Sequence, residues 1–154
     1  MNERNALVAA AVSAAGIEPA IKILDADAKT AAAAAAQLGC DVGAIANSLV
    51  FECDGAPLLV MASGAARVDT DVVADQLGAG AIRKADPKLV RSATGQVIGG
   101  VAPTGHPAPL RTVVDQTLAS YPVIWTAAGT ADSVMPLTYD QLLALTGGVA
   151  LAVR

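Results

Sequence analysis

Apolar and polar residues fall into short blocks along this chain, and their spacing changes between the two-residue period of strands and the 3.6-residue period of helices. The clearest strand signal covers residues 48–53 and 57–63, two apolar runs joined by Asp54 and Gly55. An Asp-Gly pair between such runs is typical of a tight hairpin turn. The pattern therefore predicts an antiparallel hairpin near the middle of the chain.

Further blocks have helical spacing and are bounded by capping residues, glycine or proline. Asp86-Pro87 is a strong start because proline suits the first helical position, and Thr138 with Gln141 matches a capping box. The predicted helices cover residues 5–15, an alanine-rich stretch from Thr30 to Gly39, 69–77, 86–95 and 138–147.

Short apolar runs between these helices predict more strands, at residues 21–24, 81–84, 112–114, 123–126 and 149–153. Hairpins and helical crossovers are mixed in this order, which predicts an α/β (α+β mixed) fold with a mixed central β-sheet and surrounding helices. No internal repeat and no linker divides the sequence. We expect a single domain over residues 1–154, with a long loop over residues 99–111.

Composition narrows the range of functions. At 154 residues and 54% hydrophobic content, the chain is long and apolar enough to bury a core, so general disorder is excluded. The formal net charge of −4 argues against a general nucleic-acid binder, and an aromatic content of 3% argues against a base-stacking platform. We expect no DNA partner, and any RNA contact must be local.

Neither a membrane span nor export is indicated. Glycine, proline and charges interrupt every apolar run before it reaches the roughly 20 residues that a span requires. Residues 1–4 lead directly into a helical pattern without signal-peptide architecture, so we expect a cytoplasmic protein with no membrane partner. Cys40 and Cys53 are then expected to be reduced, packed thiols.

Several kinds of catalytic site are excluded by what the sequence lacks. His106 is the single histidine and the two cysteines lack ligand spacing, so we expect no metal site. There is no Walker A run and no Gly-x-Ser-x-Gly elbow, and residues 95–100 do not match the dinucleotide fingerprint. We therefore expect neither a triad hydrolase nor an organic cofactor.

The glycine-rich segment 95–107 is the main candidate site. Its glycines and prolines hold the backbone in shapes that side chains would obstruct, and such a loop can aim N–H groups at a carbonyl or phosphate. An ordinary structural loop is the alternative, and composition alone favours it. His106, between Gly105 and Pro107, is expected near solvent, where it could contact a ligand or act as acid or base. A histidine that fixes its own loop is the commoner case.

A cluster of positive charges is the second candidate. Such a cluster is the one phosphate-facing patch that the sequence offers on an acidic chain, although a solvated helix face is the commoner explanation. Its members are Arg83, Lys84, Lys88 and Arg91.

A set of motifs extends these candidates over much of the chain. They are Ala46-Asn-Ser-Leu-Val-Phe51, Ser63-Gly-Ala-Ala-Arg-Val-Asp69, Ala85-Asp-Pro, the run from Thr94 to His106, Val114-Asp115 and Ala127-Ala-Gly129. Their order resembles the YbaK family, which includes the editing domain inserted in bacterial prolyl-tRNA synthetases and its free-standing relatives. The resemblance covers nearly the whole chain after about residue 15, and the Gly-Gly-x-x-Pro-x-Gly-His stretch is fairly specific.

The resemblance implies hydrolysis of amino acids wrongly esterified to tRNA. In this family the loop from Gly99 to Pro103 presents backbone N–H groups to the ester, so Gly99, Gly100 and Pro103 would shape the catalytic pocket. An activated ester can be hydrolysed by positioned water without a protein nucleophile. We expect a free-standing aminoacyl-tRNA deacylase that edits a mischarged small amino acid in trans.

The same resemblance suggests partners and binding residues. The acceptor end of an aminoacylated tRNA is the expected partner, and an aminoacyl-tRNA synthetase is a further candidate. The candidate substrate-binding residues are Asn47, Ser48, Thr104, His106 and Asp132, and the candidate RNA-binding residues are Arg83, Lys84, Lys88 and Arg91.

Two positions depart from the family pattern. Asn47 stands where the family usually has a lysine, which is thought to meet the terminal phosphate or the substrate's charge; asparagine cannot supply that charge-assisted bond. Residues 129–133 lack the histidine of many relatives, which leaves Asp132 for another contact, such as an amino group. Two alternatives therefore stay open: a catalytically weakened module that binds aminoacyl-tRNA or a synthetase without hydrolysis, and a protein-interaction subunit that docks on a synthetase.

Overall fold

The structure is a computed structural model that describes residues 2–25, 30–65 and 67–154. These residues form a mixed sheet with helices on both faces, as the sequence predicts. The strands are β1 (Lys22–Ile23), β2 (Ile45–Cys53), β3 (Ala56–Ser63), β4 (Ile82–Lys84), β5 (Arg111–Asp115), β6 (Ile124–Ala127), β7 (Ser133–Leu137) and β8 (Val149–Leu151). The helices are α1 (Glu3–Ala14), α2 (Ala31–Leu38), α3 (Thr70–Leu77), α4 (Pro87–Thr94) and α5 (Tyr139–Thr146), with short 3₁₀ helices at Val42–Ala44 and Gln116–Ser120.

The predicted hairpin lies at the centre of the sheet. The strand order is β1-β7-β6-β2-β3-β5-β8, and β4 pairs with β2 off this path. Strands β2 and β3 are antiparallel, whereas β6 joins β2 and β5 joins β3 in parallel. Asp54 has a φ of 50° and Gly55 a φ of 88°, which is the left-handed backbone that a two-residue hairpin turn requires.

The core occupies both faces of β3. Leu59 and Met61 pack in one buried cluster with Val8 of α1, while Leu58 and Val60 pack in a second cluster with Val73 of α3. Neighbouring strand residues point to opposite faces, so this division means that helices cover the sheet on both sides. A central strand that is covered on both faces has apolar residues at successive positions. This is why residues 57–63 do not alternate between apolar and polar side chains.

Local signals placed the helices well. Thr30, Asp86 and Thr138 each accept a hydrogen bond from the N3 backbone N–H of the helix that follows, and the Thr138–Gln141 capping box is present. Helix α1 begins earlier than predicted, because Asn2 and Asn5 form a reciprocal capping box. Asparagine at the third position is a weaker sequence signal than the usual glutamate or glutamine.

The sequence analysis did not predict one strand, β7, and it predicted a start for β2 that is three residues too late. Strand β7 contains Pro136 opposite Trp125, and proline inside a run argues against a strand from sequence alone. Strand β2 begins at Ile45, three residues before the predicted start, because Ile45 and Ala46 pair in parallel with Trp125 and Thr126.

Two other expectations concern the thiols and the membrane. Cys40 and Cys53 are both free thiols; Cys53 is buried, and Cys40 is partly exposed beside the small cluster around α2. Within the described ranges, no helix is long and apolar enough to cross a membrane.

Candidate functional site

The site lies at a break in the sheet beside β2. Strand β6 pairs with β2 at Ile45 and Ala46, and β4 pairs with the same edge only from Phe51 to Cys53. The stretch between these pairings is therefore open on that edge, while its other edge stays paired to β3.

Ser48 faces this opening with its backbone. Backbone N–H and C=O groups of successive strand residues point to alternate edges. The carbonyl of Ile45 accepts from Gly64 on the β3 side, whereas the carbonyl of Val50 accepts from Ala85 on the β4 side. Ser48 has the same orientation as Val50, so its N–H and C=O point into the break. Its hydroxyl donates to the sulfur of Met61 at 3.2 Å.

Two clefts meet at this break. The larger has a volume of about 970 Å³ and the smaller about 440 Å³. Both are bounded on one side by β2 and on the other by the glycine-rich loop. The residues that line both clefts are Asn47, Ser48, Leu49, Ile98, Gly99 and Val101.

Three cations line the larger cleft. Arg83 and Lys84 project from β4, and Arg67 projects from the segment that follows β3. All three are exposed, so each is accessible to a ligand phosphate. Lys88 and Arg91 are also exposed, but they lie on α4 and line neither cleft. The structure therefore divides the predicted basic patch into a cleft pair and a helix pair.

The smaller cleft has a different character. Its wall is largely aliphatic, with Trp125 as an aromatic side and Thr30 and Ser133 as hydroxyl groups. No charged side chain lines it within the residues that the structure describes. Such a cavity favours a small uncharged group over an ionic one, because burying an unpaired charge is costly.

The glycine-rich loop is held from inside by Gln96. This side chain is 3% exposed; its Oε1 accepts from the N–H of Ala102 at 2.7 Å, and its Nε2 donates to the carbonyl of Thr104 at 3.3 Å. A further turn bond joins the N–H of Gly100 to the carbonyl of Val97 at 3.0 Å. The loop thus has a defined shape without belonging to a helix or strand.

Between Gly99 and Pro103 two backbone N–H groups remain available among the described residues, and the unpaired N–H of Ile98 directly precedes them. The N–H groups of Gly100 and Ala102 are used within the loop, whereas those of Gly99 and Val101 donate to no other group in the described parts of the chain. Gly99 and Val101 also line both clefts. The donors that the segment from Gly99 to Pro103 can offer a ligand are therefore Gly99 and Val101, alternating with the two that hold its shape.

Gly100 lines neither cleft. It is buried, and a Cβ at this position would lie 2.6 Å from the carbonyl carbon of Thr130 and 2.8 Å from the nitrogen of Ala131. The expected close approach at Gly100 is thus between two loops of the protein, and it seats the glycine-rich loop on residues 130–131. Gly99 has a φ of 91°, a conformation that favours glycine, and its Cβ would contact only the Cβ of Ala131 at 4.0 Å.

His106 is half-buried rather than near solvent. Its Nε2 lies 2.8 Å from the carbonyl of Ala102, so the neutral ring donates from Nε2 to that carbonyl. Burial lowers the pKa of His106 below its ordinary value, and the carbonyl only partly opposes this shift. The side chain lines neither cleft, and this geometry matches the interpretation of a histidine that fixes its own loop.

The remaining predicted residues are spread around the junction. Asn47 and Ser48 lie in it and line both clefts. Pro103 is buried behind the loop, and Thr104 offers its carbonyl to Gln96. Asp132 is exposed next to the smaller cleft, where its Oδ1 accepts from the hydroxyl of Thr130 at 2.8 Å, but it does not line that cleft.

Sequence reasoning missed Gln96 and Arg67. Residue type alone does not distinguish a buried glutamine that holds a loop from an exposed one. The one usable signal was the position of Gln96 between Gly95 and Gly99, two glycines at turns. Arg67 lay inside a motif of the resemblance but outside the counted basic cluster. The structure brings it to the same cleft as Arg83 and Lys84.

The described residues hold no group of three or more His, Cys, Asp or Glu side chains that could bind a metal ion. The polar groups gathered at the junction are backbone amides, hydroxyls, an asparagine amide and cations. These groups can bind and polarise a carbonyl or phosphate.

Two solved structures have the same fold over nearly the whole length of both chains. One, described as "a putative trans-editing enzyme for prolyl tRNA synthetase", is 35% identical with a TM-score of 0.94, covering 100% of this chain and 98% of that one. Another, described as hypothetical protein APE2540, is 26% identical with a TM-score of 0.86, covering 96% of this chain and 98% of that one.

Sequence comparison agrees with the structural likeness. Uncharacterized protein YwhH of Bacillus subtilis (strain 168) is 32% identical over 110 residues, which are 71% of this chain and 69% of that protein. The sequence model of a family described as an aminoacyl-tRNA editing domain matches residues 25–145, a span that includes both clefts' shared residues and the whole glycine-rich loop. The chain therefore belongs to the aminoacyl-tRNA editing domain family, the YbaK family of the sequence resemblance.

Proposed function

We propose that the protein is a cytoplasmic deacylase that hydrolyses the ester of a mischarged aminoacyl-tRNA in trans. The observation that carries this proposal is the meeting of two unlike clefts at the break beside β2, one large and cationic, the other smaller and aliphatic. The end of an aminoacyl-tRNA has the same two-part character: phosphates lie on one side of the ester and an amino-acid side chain on the other. The ester then lies at the junction.

The larger cleft suits the nucleotide side of the substrate. Arg67, Arg83 and Lys84 provide three positive charges along its wall, and cations of this kind contact phosphates without reading sequence. Only the acceptor end needs to enter, so a protein with a formal charge of −4 can bind it through a few local contacts.

The smaller cleft suits the amino-acid side chain. A volume of about 440 Å³ with an aliphatic wall accepts a small uncharged group. Selection in such a pocket depends on volume, and one methylene changes the binding free energy by about 1–3 kcal/mol.

The junction supplies what ester hydrolysis requires. Attack of water on the ester carbonyl forms a C–O bond and puts negative charge on the carbonyl oxygen; donors aimed at that oxygen lower the barrier. The unpaired N–H groups of Gly99 and Val101 are the donors that residues 99–103 can offer. The bond from the carbonyl carbon to the ribose oxygen then breaks, the ribose oxygen takes up a proton in place of the one that the attacking water has lost, and free amino acid and uncharged tRNA leave.

A binding module without catalysis is the second candidate, and Asn47 is the observation that favours it. This residue lies in the junction, where its neutral amide provides no positive charge of its own. A synthetase-docking subunit is the third candidate.

The experiment is a panel of tRNAs mischarged with labelled small amino acids, each incubated with the protein under single-turnover conditions. A deacylase releases free amino acid above the rate without protein. Protection of the ester from spontaneous hydrolysis would instead indicate the binding module. An effect that appears only after a synthetase is added would indicate the docking subunit.

A further inference from the structure

The backbone of Ala102 is held from both sides by side chains of its own loop. Its N–H donates to Oε1 of Gln96 at 2.7 Å, and its carbonyl accepts from Nε2 of His106 at 2.8 Å. Both side chains are withdrawn from solvent, Gln96 almost completely and His106 by half. Breaking a hydrogen bond to a buried group costs free energy because that group is left without a partner. Rotation of the Ala102 peptide units would break these two bonds, so the arrangement resists it.

Gln96 also reaches the other end of the turn. Its Nε2 donates to the carbonyl of Thr104 at 3.3 Å, so one buried amide joins Ala102 to Thr104. The start of the loop is fixed as well, because the hydroxyl of Thr94 accepts from the Gln96 N–H at 3.0 Å and donates to the carbonyl of Val90 at 2.6 Å. The glutamine is therefore anchored to α4 at its backbone and to the loop at its side chain.

The unpaired N–H groups of Gly99 and Val101 lie close to these held positions. One Cα separates the Val101 N–H from the peptide unit that carries the bonded Ala102 N–H. One Cα likewise separates the Gly99 N–H from the unit that carries the Gly100 N–H, which is tied to Val97. The direction of the Val101 and Gly99 N–H groups thus depends on how their neighbours are held. A fixed set of donors stabilises a developing charge without reorganising, which is where most of its catalytic benefit arises.

We propose that Gln96 is a positioning residue of this site, which together with His106 fixes the Ala102 backbone so that the N–H groups of Gly99 and Val101 point at the ester carbonyl. Gln96 does not touch the substrate, since it lines neither cleft. This inference rests on the proposed deacylase function for its catalytic consequence. The structural part of the inference, that Gln96 holds the loop, does not depend on that function.

The test compares Gln96→Met with Gln76→Met. Methionine matches the length of glutamine, but its thioether is only a weak acceptor for the Ala102 N–H and cannot donate to Thr104. Gln76 is exposed on α3 away from both clefts, so the control makes the same chemical change outside the site. Amide hydrogen exchange and amide chemical shifts report the loop, and single-turnover deacylation reports catalysis.

The expected result is faster exchange at the Ala102 amide and shifted amide signals for Gly99 and Val101 in Gln96→Met alone. The kcat should fall by roughly ten- to a hundredfold, with KM changed less than about threefold, because the misplaced donors act mainly in the transition state. Unchanged amide exchange at Ala102, or a released loop with an unchanged kcat, overturns the proposal.

A second variant covers the case in which Gln96→Met does not fold. In Gln96→Glu, a protonated carboxyl can accept from Ala102 and donate to Thr104 as the amide does, whereas an ionised one cannot donate. The ratio of variant to wild-type kcat should therefore rise as pH falls, and a ratio that is constant with pH overturns the positioning role.

The outcomes also separate this inference from the proposed function. A wild-type protein inactive on every mischarged tRNA would remove the deacylase proposal. The amide signals of Ala102, Gly99 and Val101 would then still decide whether Gln96 holds the loop.

Discussion

Gly100 and Thr130 approach so closely that a Cβ on the glycine would stand 2.6 Å from the carbonyl carbon of the threonine. This contact joins the glycine-rich loop to residues 128–133, which α1 supports from the other side: Nδ2 of the buried Asn5 donates to the carbonyl of Ala128 at 2.7 Å and to the hydroxyl of Ser133 at 3.0 Å. The loop that carries the candidate donors is thus seated on a second loop that is itself tied to the N-terminal helix.

Gly100→Ala is therefore expected to destabilise the fold as well as the site. The added methyl group must push Thr130 and Ala131 away, and overpacking of this kind costs about 1–3 kcal/mol. Urea denaturation should show this loss, together with reduced deacylation. Gly99→Ala is the comparison, because its Cβ meets no atom closer than 4.0 Å and acts through its φ of 91°. Full stability of Gly100→Ala would show that the two loops are not rigidly packed.

The basic patch gives a prediction about tRNA binding that needs the structure, because only the structure shows which of its residues line a cleft. Arg83→Glu should raise KM for charged tRNA and flatten its dependence on salt, because Arg83 lines the larger cleft. Arg91→Glu is the matched control, an exposed arginine on α4 outside both clefts, and should leave the salt slope unchanged. Equal effects of the two reversals would mean that the cleft does not receive phosphate.

Asn47 offers a test of the junction. Asn47→Lys places a cation between the two clefts, where a charge-assisted bond of about 1.5–3 kcal/mol to a phosphate should raise kcat/KM roughly tenfold or more. Gln76→Lys adds the same charge on the exposed face of α3 and should leave the rate unchanged. Single-turnover rates measure both. If Asn47→Lys and Asn47→Ala both react like the wild type, position 47 does not contact the substrate.

His106 makes a separable prediction about pH, since it is the single histidine of the chain. Burial lowers the pKa of the folded-state ring below 6.5, so below that pH the unfolded chain binds a proton that the folded protein does not. Stability should therefore fall as pH drops from about 6.5 towards the folded pKa.

Replacing the ring removes this effect. In His106→Asn, the free energy of unfolding measured by urea denaturation should no longer change with pH across that window, although the lost bond to Ala102 lowers stability at every pH. An NMR titration of the wild-type ring gives the folded pKa directly. A value at or above 6.5 would contradict the buried, neutral histidine.

Local signals in the sequence predicted most of the elements. The Asp54-Gly55 turn, the proline after Asp86 and the capping box at Thr138 each act over a few residues, so a single sequence contains the physics that sets them. Strand β7 was missed for the opposite reason. Its Pro136 lies beyond the short pairing of β7 with β1, which covers only Ser133 and Val134, and β1 comes from a distant part of the chain that the local pattern does not show.

The candidate site was predicted only in part. Asn47, Ser48 and Gly99 belong to motifs, and the structure brings them to one junction. The junction itself exists because β4 and β6, from distant parts of the chain, pair with the same edge of β2 and leave a gap. That long-range geometry also sets the separate placements of Arg83 and Arg91 and the burial of Gln96, none of which residue spacing determines.

The most direct test of the account is a titration of the labelled protein with a non-hydrolysable aminoacyl-adenosine whose ester is replaced by an amide, followed by amide chemical shifts. We expect the N–H signals of Gly99 and Val101 to move downfield on binding, while those of Gly100 and Ala102, already bonded to Val97 and Gln96, change little. Binding of the analogue with no shift at Gly99 or Val101 would contradict the placement of the ester at this loop.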